Sequence, residues 1–240
     1  MPRPPAQPNR SLIDGLEVLQ AVVGSGASVG SRALAAQLGL EPTRVNRLLK
    51  TLAHLGLTEQ DDQRRYRPGP ALHVLTASSL YGSGLLQRAL PVLGELAELA
   101  DDRGLVLALG VLWRDKVAYL LHREPGMPMD QAIGRVGLYP ADRSGIGVAV
   151  LAAGPPADDE RPAVQAARDA GHALLEQPGG RRGLGVALPS HTNAGLAISG
   201  VFPARSVPPL VRRLHDAAEA IADAPPTTRQ RPAKVEALLR

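Results

Sequence analysis

The sequence predicts an α+β protein in two pieces. A small helical piece carries a two-stranded hairpin, and a larger piece holds an antiparallel sheet with helices packed on it. Three observations predict this. The first 55 residues contain three segments of helical apolar spacing, separated by glycines. Two short β-type runs follow within 12 residues. Beyond residue 104, apolar runs of strand length alternate with amphipathic helices, as in a sheet covered by helices.

The first helix is expected over Leu12, Leu16, Leu19 and Val23, stopping at Gly24-Ser-Gly26. Ser11-Leu-Ile-Asp14 has the form of a capping box with Asp in the Glu position. A second helix, Arg32 to Leu38, starts behind Ser31 and ends at Gly39. Pro42 suits the first position of a third helix, because its missing N–H needs no partner there. That helix is expected to reach Leu55, with Val45, Leu48, Leu49, Leu52 and Leu55 as its buried stripe. Thr43, Arg44, Asn46, Arg47 and Lys50 fall off the stripe. A short helix, a tight glycine turn and a longer helix match the helix-turn-helix, whose second helix enters the DNA major groove. Arg and Asn carry the donors that read guanine and adenine edges. Leu57–Gln60 and Arg64–Arg67 are expected to pair as a wing around Asp61-Asp-Gln63, with Arg64 and Arg65 on phosphates. Ser31 and Arg32 complete the candidate DNA contacts. The competing reading of these charges is a solvated helix face and a polar hairpin.

Charge supports the DNA reading. Residues 1–76 hold nine Lys/Arg against six Asp/Glu, and residues 77–226 hold fourteen against sixteen. With one Trp, one Phe and four Tyr, the cores must be built from Leu, Val, Ala and Ile. The absence of cysteine excludes disulfides and thiolate metal sites and fits a cytoplasmic protein. No apolar run approaches membrane-spanning length, so no membrane partner is expected.

The domain boundaries expected are a disordered arm at 1–10, the winged helix-turn-helix at 11–69, a linker helix at 70–84, a ligand domain at 85–224 and a tail at 225–240. The linker helix carries Leu72, Leu75, Ala77 and Leu80 and is expected to break at Gly82-Ser-Gly84. In the ligand domain a helix spans Leu85–Asp102. Strands are expected at Leu105–Leu112, Val117–Leu121, Gln131–Ile133, Leu184–Leu188 and Leu196–Val201. Helices are expected at Gly145–Ala153, Ala163–Ala170 and Val207–Ala222.

These motifs resemble the IclR-type transcription regulators. The front carries Leu34-Ala-Ala-Gln-Leu-Gly39, Arg47-Leu-Leu-Lys-Thr-Leu52 and Tyr66-Arg-Pro-Gly69 in the family's order. The rear carries Tyr139-Pro-Ala-Asp-Arg-Ser-Gly-Ile-Gly-Val-Ala-Val-Leu-Ala152, similar to the family's loop and helix beside the effector, and Gly195-Leu-Ala-Ile-Ser-Gly200, similar to its last strand. The chain departs from the family at Ala141, Asp142, Ser144 and Val148. The resemblance implies a GAF-like α/β sensor domain and a small organic effector. It points to Tyr139, Arg143, Ser144, Gly145, Ile146, Ala197 and Ser199 as effector contacts. The backbone N–H groups at Ser144–Gly147 suit a carboxylate, although a Ser-capped helix start would read the same way.

The expectation is therefore a DNA-binding regulator controlled by a small molecule, of repressor type, acting as a homodimer or homotetramer on a double-stranded operator. Leu12, Leu16, Leu72 and Leu75 are either its seam or part of the front core. Two alternatives are a C-terminal domain that only dimerises and a catalytic or carrier module fused to a DNA-binding head. Against catalysis, the six histidines are scattered, no nucleophile elbow is present, and Gly180–Gly185 lacks the Lys-Ser/Thr of a phosphate loop. No enzyme activity, metal or cofactor is expected.

Overall fold

Asn9, not Ser11, starts the first helix. Its side chain accepts from the Leu12 N–H at 3.0 Å, and α1 (Arg10–Gly24) begins one residue later. The capping-box reading at Ser11 is thus corrected: Asp14 does not turn back to a cap but lies buried inside the helix. The computed structural model describes residues 6–134, 137–157, 160–189, 191 and 193–225. Of the arm expected at 1–10, residues 1–5 lie outside the described residues, as do Asp158 and Asp159 of the acidic run and the tail from 226. Asn9 and Arg10 are the cap and first residue of α1 and not part of a disordered arm.

Residues 1–83 and 84–240 form two compact units. In the first, α2 (Ser31–Leu38) ends on Gly39, which takes the left-handed conformation (φ 64°) that closes the tight turn. Pro42 opens α3 (Pro42–His54). Val18 and Val22 of α1, Leu34 of α2, and Val45 and Leu49 of α3 form the core with Tyr66. Leu55, expected in that core, caps α3 and is 57% exposed, because the helix has already ended beneath it. The wing pairs β1 (Thr58–Gln60) with β2 (Tyr66–Pro68) in antiparallel register. Val29, before α2, bonds Tyr66 through both backbone groups at 2.8 Å and ties the wing to the helices. Gly69 passes so close that a Cβ there would meet the Gly56 carbonyl oxygen at 2.3 Å. α4 (Ala71–Ser83) follows and runs through Gly82 and Ser83. The expected break comes only at Gly84, which is left-handed at φ 60°.

In the second unit, α5 (Leu85–Asp102) precedes a six-stranded antiparallel sheet. Its strands are β3 (Val106–Trp113), β4 (Lys116–Arg123), β5 (Tyr139–Pro140), β6 (Ala173–Gln177), β7 (Arg181–Ala187) and β8 (Ala194–Val201), ordered β5-β4-β3-β8-β7-β6. The expected strand at Gln131–Ile133 is instead α6 (Met129–Ala132), with Ile133 making one bridge to Leu121. Three residues between a proline-rich turn and Gly134 are too few to separate strand from helix by period. α7 (Gly145–Ala153) lies on one face of β7 and β8, with α8 (Pro162–Ala170) beside it. α5 and α9 (Val207–Asp223) pack together, and α9 lies along β7. Glycine brings α7 onto the sheet: a Cβ at Gly185 would sit 2.2 Å from the Gly145 carbonyl oxygen. Among the described residues, no helix is long and apolar enough to cross a membrane.

Candidate functional sites

The exposed face of α3 carries Thr43, Arg47 and Lys50, with Asn46 half-buried at one flank. Spacings of three and four residues place these side chains together, opposite buried Val45, Leu49 and Leu52. No side chain caps the start of α3. Its first N–H groups therefore lack both helical acceptors and a cap, which favours an anion there. Ser31 is half-buried at the start of α2, and Arg32 is exposed.

Arg44 stands apart from this face. It lies on the flank toward α1, and its Nη2 is 2.6 Å from Oδ2 of Asp14. The Asp14 side chain is 10% exposed and that of Arg44 42%. Sequence spacing placed Arg44 off the buried stripe but gave no sign of this partner, because Asp14 reads locally as a cap residue.

The wing tip is shaped by Asp61. Its Oδ1 accepts from the Gln63 N–H at 3.0 Å and the Arg65 N–H at 2.8 Å. The Arg65 backbone bond holds the Asp61 carboxyl below its usual range. Arg64 takes φ 58°, and both Arg64 and Arg65 project exposed from the turn.

In the second unit, Ser144 is buried and caps α7, its Oγ accepting from the Gly147 N–H at 3.3 Å. A Cβ at Gly147 would meet the Ala141 carbonyl oxygen at 2.2 Å, so the loop and helix start are tightly seated. Ile146 and Ala197 belong to one apolar cluster with Ala108, Val117, Ala141 and Val150. Ser199 is half-buried on β8, opposite Val106 and Gly183. Tyr139 is 38% exposed on β5, and Arg143 is exposed at the end of the 3-10 turn Ala141–Arg143. Ser144, Ile146 and Ala197 thus line one face of the sheet beside the loop, while Arg143 sits at its rim.

Two residues of this face escaped the sequence reading. Tyr119 approaches Ser144, with hydroxyl oxygens 3.2 Å apart. Burial pushes the Tyr119 phenol up, and the Ser144 hydrogen bond offsets part of that shift. His122 lies edge-to-face on Tyr119, ring centroids 5.3 Å apart, and the Tyr139 ring centroid lies 6.3 Å from that of Tyr119. Among the described residues, the buried Nδ1 of His122 has no hydrogen-bond partner. A bulge shifts register between Leu109 and Gly110, pairing Leu109 with Leu121 and Gly110 with Tyr119. It brings residues three apart ring to ring, so no strand alternation in the sequence marks them as a pair. Small residues pave the strands beside them: Ala108 pairs with both His122 and Ala197, and Gly185 pairs with Ala197.

Comparisons with known proteins agree with this architecture. The pattern of the IclR helix-turn-helix domain matches residues 11–62. The HTH-type transcriptional regulator BhcR of Paracoccus denitrificans is 33% identical over 159 residues, 63% of this chain. That match spans about half of the relative's own length, 53%. An IclR family transcriptional regulator from Brucella abortus superposes with a TM-score of 0.71 at 24% identity, covering 90% of this chain and 92% of that one. An IclR homolog from Microbacterium hydrocarbonoxydans, solved in complex with 4-hydroxybenzoate, gives a TM-score of 0.61 at 22% identity, covering 88% and 97%. At these identities the structural likeness carries the fold, across both units.

Proposed function

We propose, from the premise that this chain is an IclR-type regulator, that it binds operator DNA through α3 and the wing and responds to a small organic effector in its second unit. The observation that carries the DNA reading is the exposed, uncapped start of α3, which presents Thr43, Asn46, Arg47 and Lys50 on one side. Arg47 and Asn46 read base edges. Lys50, Arg64, Arg65 and Arg32 hold phosphates, with Ser31 and Thr43 at the helix starts. No catalytic role is assigned to any residue. The cytoplasm is its place of action, and repression of a metabolic operon is its mode.

The protein acts as a homo-oligomer. Leu12, Leu16 and Leu75 are 61%, 49% and 56% exposed, too apolar a set to stay in water. Leu72 instead packs half-buried against the front core. A dimer pairs two heads on two half-sites. The test of the DNA reading is anisotropy with a selected operator. Arg47→Ala is expected to weaken specific binding by about 1–3 kcal/mol. Arg65→Ala is expected to weaken all duplexes alike and lower the salt slope by about 1. A folded Arg47→Ala protein with wild-type operator affinity rejects the assignment.

For the effector, the second unit offers aromatic edges from Tyr119, Tyr139 and His122, the Ser144 hydroxyl, and Arg143 at the rim. Ser144 Oγ takes the Gly147 N–H, so the Gly145 and Ile146 N–H groups at the helix start are the ones left for a carboxylate. This set suits an aromatic carboxylate, the class to which the 4-hydroxybenzoate of the Microbacterium homolog belongs. The tight seating of Gly147 favours a second reading, in which this unit only dimerises. Thermal shift against 4-hydroxybenzoate, benzoate and aliphatic acids decides between them, since a bound ligand raises stability as RT ln(1 + [L]/Kd). A shift with aromatic acids that is lost in Ser144→Trp is expected of a sensor.

A further inference from the structure

We infer that Asp14 is a positioning residue for DNA recognition: it holds Arg44 so that this arginine reads one guanine from the flank of α3. The inference rests on the DNA reading above and assigns a role to a residue outside the helix-turn-helix surface.

Asp14 sits in the middle of α1, on a position otherwise suited to an apolar side chain. Its neighbours one turn on, Val18 and Leu19, are both core. A carboxylate placed there needs a counter-charge, because burial of an unpaired ion is costly. Arg44 supplies it at 2.6 Å. The pair is asymmetric: the carboxylate is 10% exposed and the guanidinium 42%. Among the described residues Arg44 has no other recorded partner. A guanidinium carries five N–H donors, so donors not turned toward Asp14 remain for a ligand on the exposed side.

Position completes the reasoning. Arg44 is the third residue of α3, and N-terminal residues of a recognition helix approach base edges. A free arginine there spreads its rotamers over phosphates and several bases. An arginine held by a carboxylate presents its fork in one orientation, and the forked match to guanine O6 and N7 depends on that orientation. The carboxylate also repels phosphate, so it raises discrimination while lowering sequence-independent affinity. A purely structural ion pair predicts the second effect but no change of base preference.

The test is selection from a pool of random duplexes with the full chain, followed by affinity for the selected site and for unrelated duplex at several salt concentrations. Wild type is expected to enrich a site containing a guanine that becomes less favoured in Asp14→Asn, by about tenfold. Non-specific affinity is expected to rise in the same variant, with a steeper salt dependence. Circular dichroism checks its fold. Should Asp14→Asn fail to fold, Asp14→Glu decides: it keeps the charge but moves the carboxylate by a methylene, and is expected to lose preference at the same single position that Arg44→Lys, which loses the fork, identifies. Unchanged base preferences in the folded variant overturn the inference. Failure of the wild type to enrich any sequence overturns the DNA reading instead.

Discussion

The two helices that open the candidate sites, α3 and α7, begin in opposite surroundings. The start of α3 faces solvent without a side-chain cap, and the side chains proposed to read bases stand on the outer face of that one helix. The start of α7 is sealed: Ser144 through Val150 are all buried, Ser144 caps the helix, and glycines let its backbone touch β7 and the preceding loop. The difference teaches where each site keeps its specificity. A surface that meets a long rigid duplex needs only exposed donors on a firm helix. A pocket for a small molecule must be assembled from several elements around a dry interior. The first unit can therefore tolerate changes on its working face, whereas the second depends on close backbone approach.

The sharpest way to break this contrast is Gly185→Ala. The added Cβ would lie 2.2 Å from the Gly145 carbonyl oxygen, against Gly145 backbone with no flexible side chain to yield. The expected cost is about 3 kcal/mol, at the upper end for overpacking. Calorimetry should show the transition of the second unit moving down while that of the first stays in place. A common shift of both transitions would mean that the units do not melt separately.

The same contrast explains what was legible in the sequence. The three helices and the wing of the front unit are legible almost residue by residue, because helix period, Gly39 and Pro42 are local signals. The misses there were local as well. Asn9 outcompeted Ser11 as cap, and Asp14 proved to have a partner thirty residues on. In the rear unit β3, β4, β7 and β8, and a helix at Gly145–Ala153, follow from apolar pattern, whereas β5 and β6 do not, and the strand expected at Gln131–Ile133 is α6. Ser144, Gly145 and Ile146 came from resemblance to a loop. Tyr119 and His122 did not emerge at all, since their pairing is made by a bulge and their setting by strands distant in the chain. Arg123 was missed for the same reason: it crosses from β4 to α5, where its Nη1 and Nη2 each donate to Asp101 at 2.7 Å.

That ion pair gives a second, smaller test confined to the rear unit. The hydrogen bonds from Arg123, joined by the Gly126 N–H at 2.7 Å, lower the Asp101 carboxyl from 3.8 to about 2. A depressed carboxylate stabilises the fold above its unfolded value and loses that contribution as pH falls through its folded one. Stability of the second unit should therefore decline between about pH 4 and about pH 2. Asp101→Asn should weaken it at neutral pH and flatten the decline in that window. Urea unfolding at a series of pH values reads both effects. An undiminished acid slope in the variant would assign it to other carboxylates.

The smallest expected effect lies in the front unit and concerns its core instead of its working face. Tyr66 is 1% exposed among Val18, Leu34 and Leu49, and among the described residues its buried hydroxyl has no hydrogen-bond partner. Burial alone pushes its phenol up. Both backbone groups of Tyr66 bond Val29, and Gln60 lies opposite it in the wing's register, so the ring is held by backbone pairing and not by the hydroxyl. Removing that oxygen deletes an unsatisfied polar group without opening space for a side-chain collapse. Tyr66→Phe should accordingly stabilise the front unit by about 1 kcal/mol, visible as a Tm increase of about 5 °C for a piece of this size. Operator affinity is expected not to change, because Tyr66 faces inward while the wing contacts proposed above fall to the exposed Arg64 and Arg65. A loss of stability on this substitution would show that the hydroxyl has a partner in solution, most simply an ordered water. The wing would then be anchored through a polar contact after all, and the front unit would share the rear unit's dependence on buried detail.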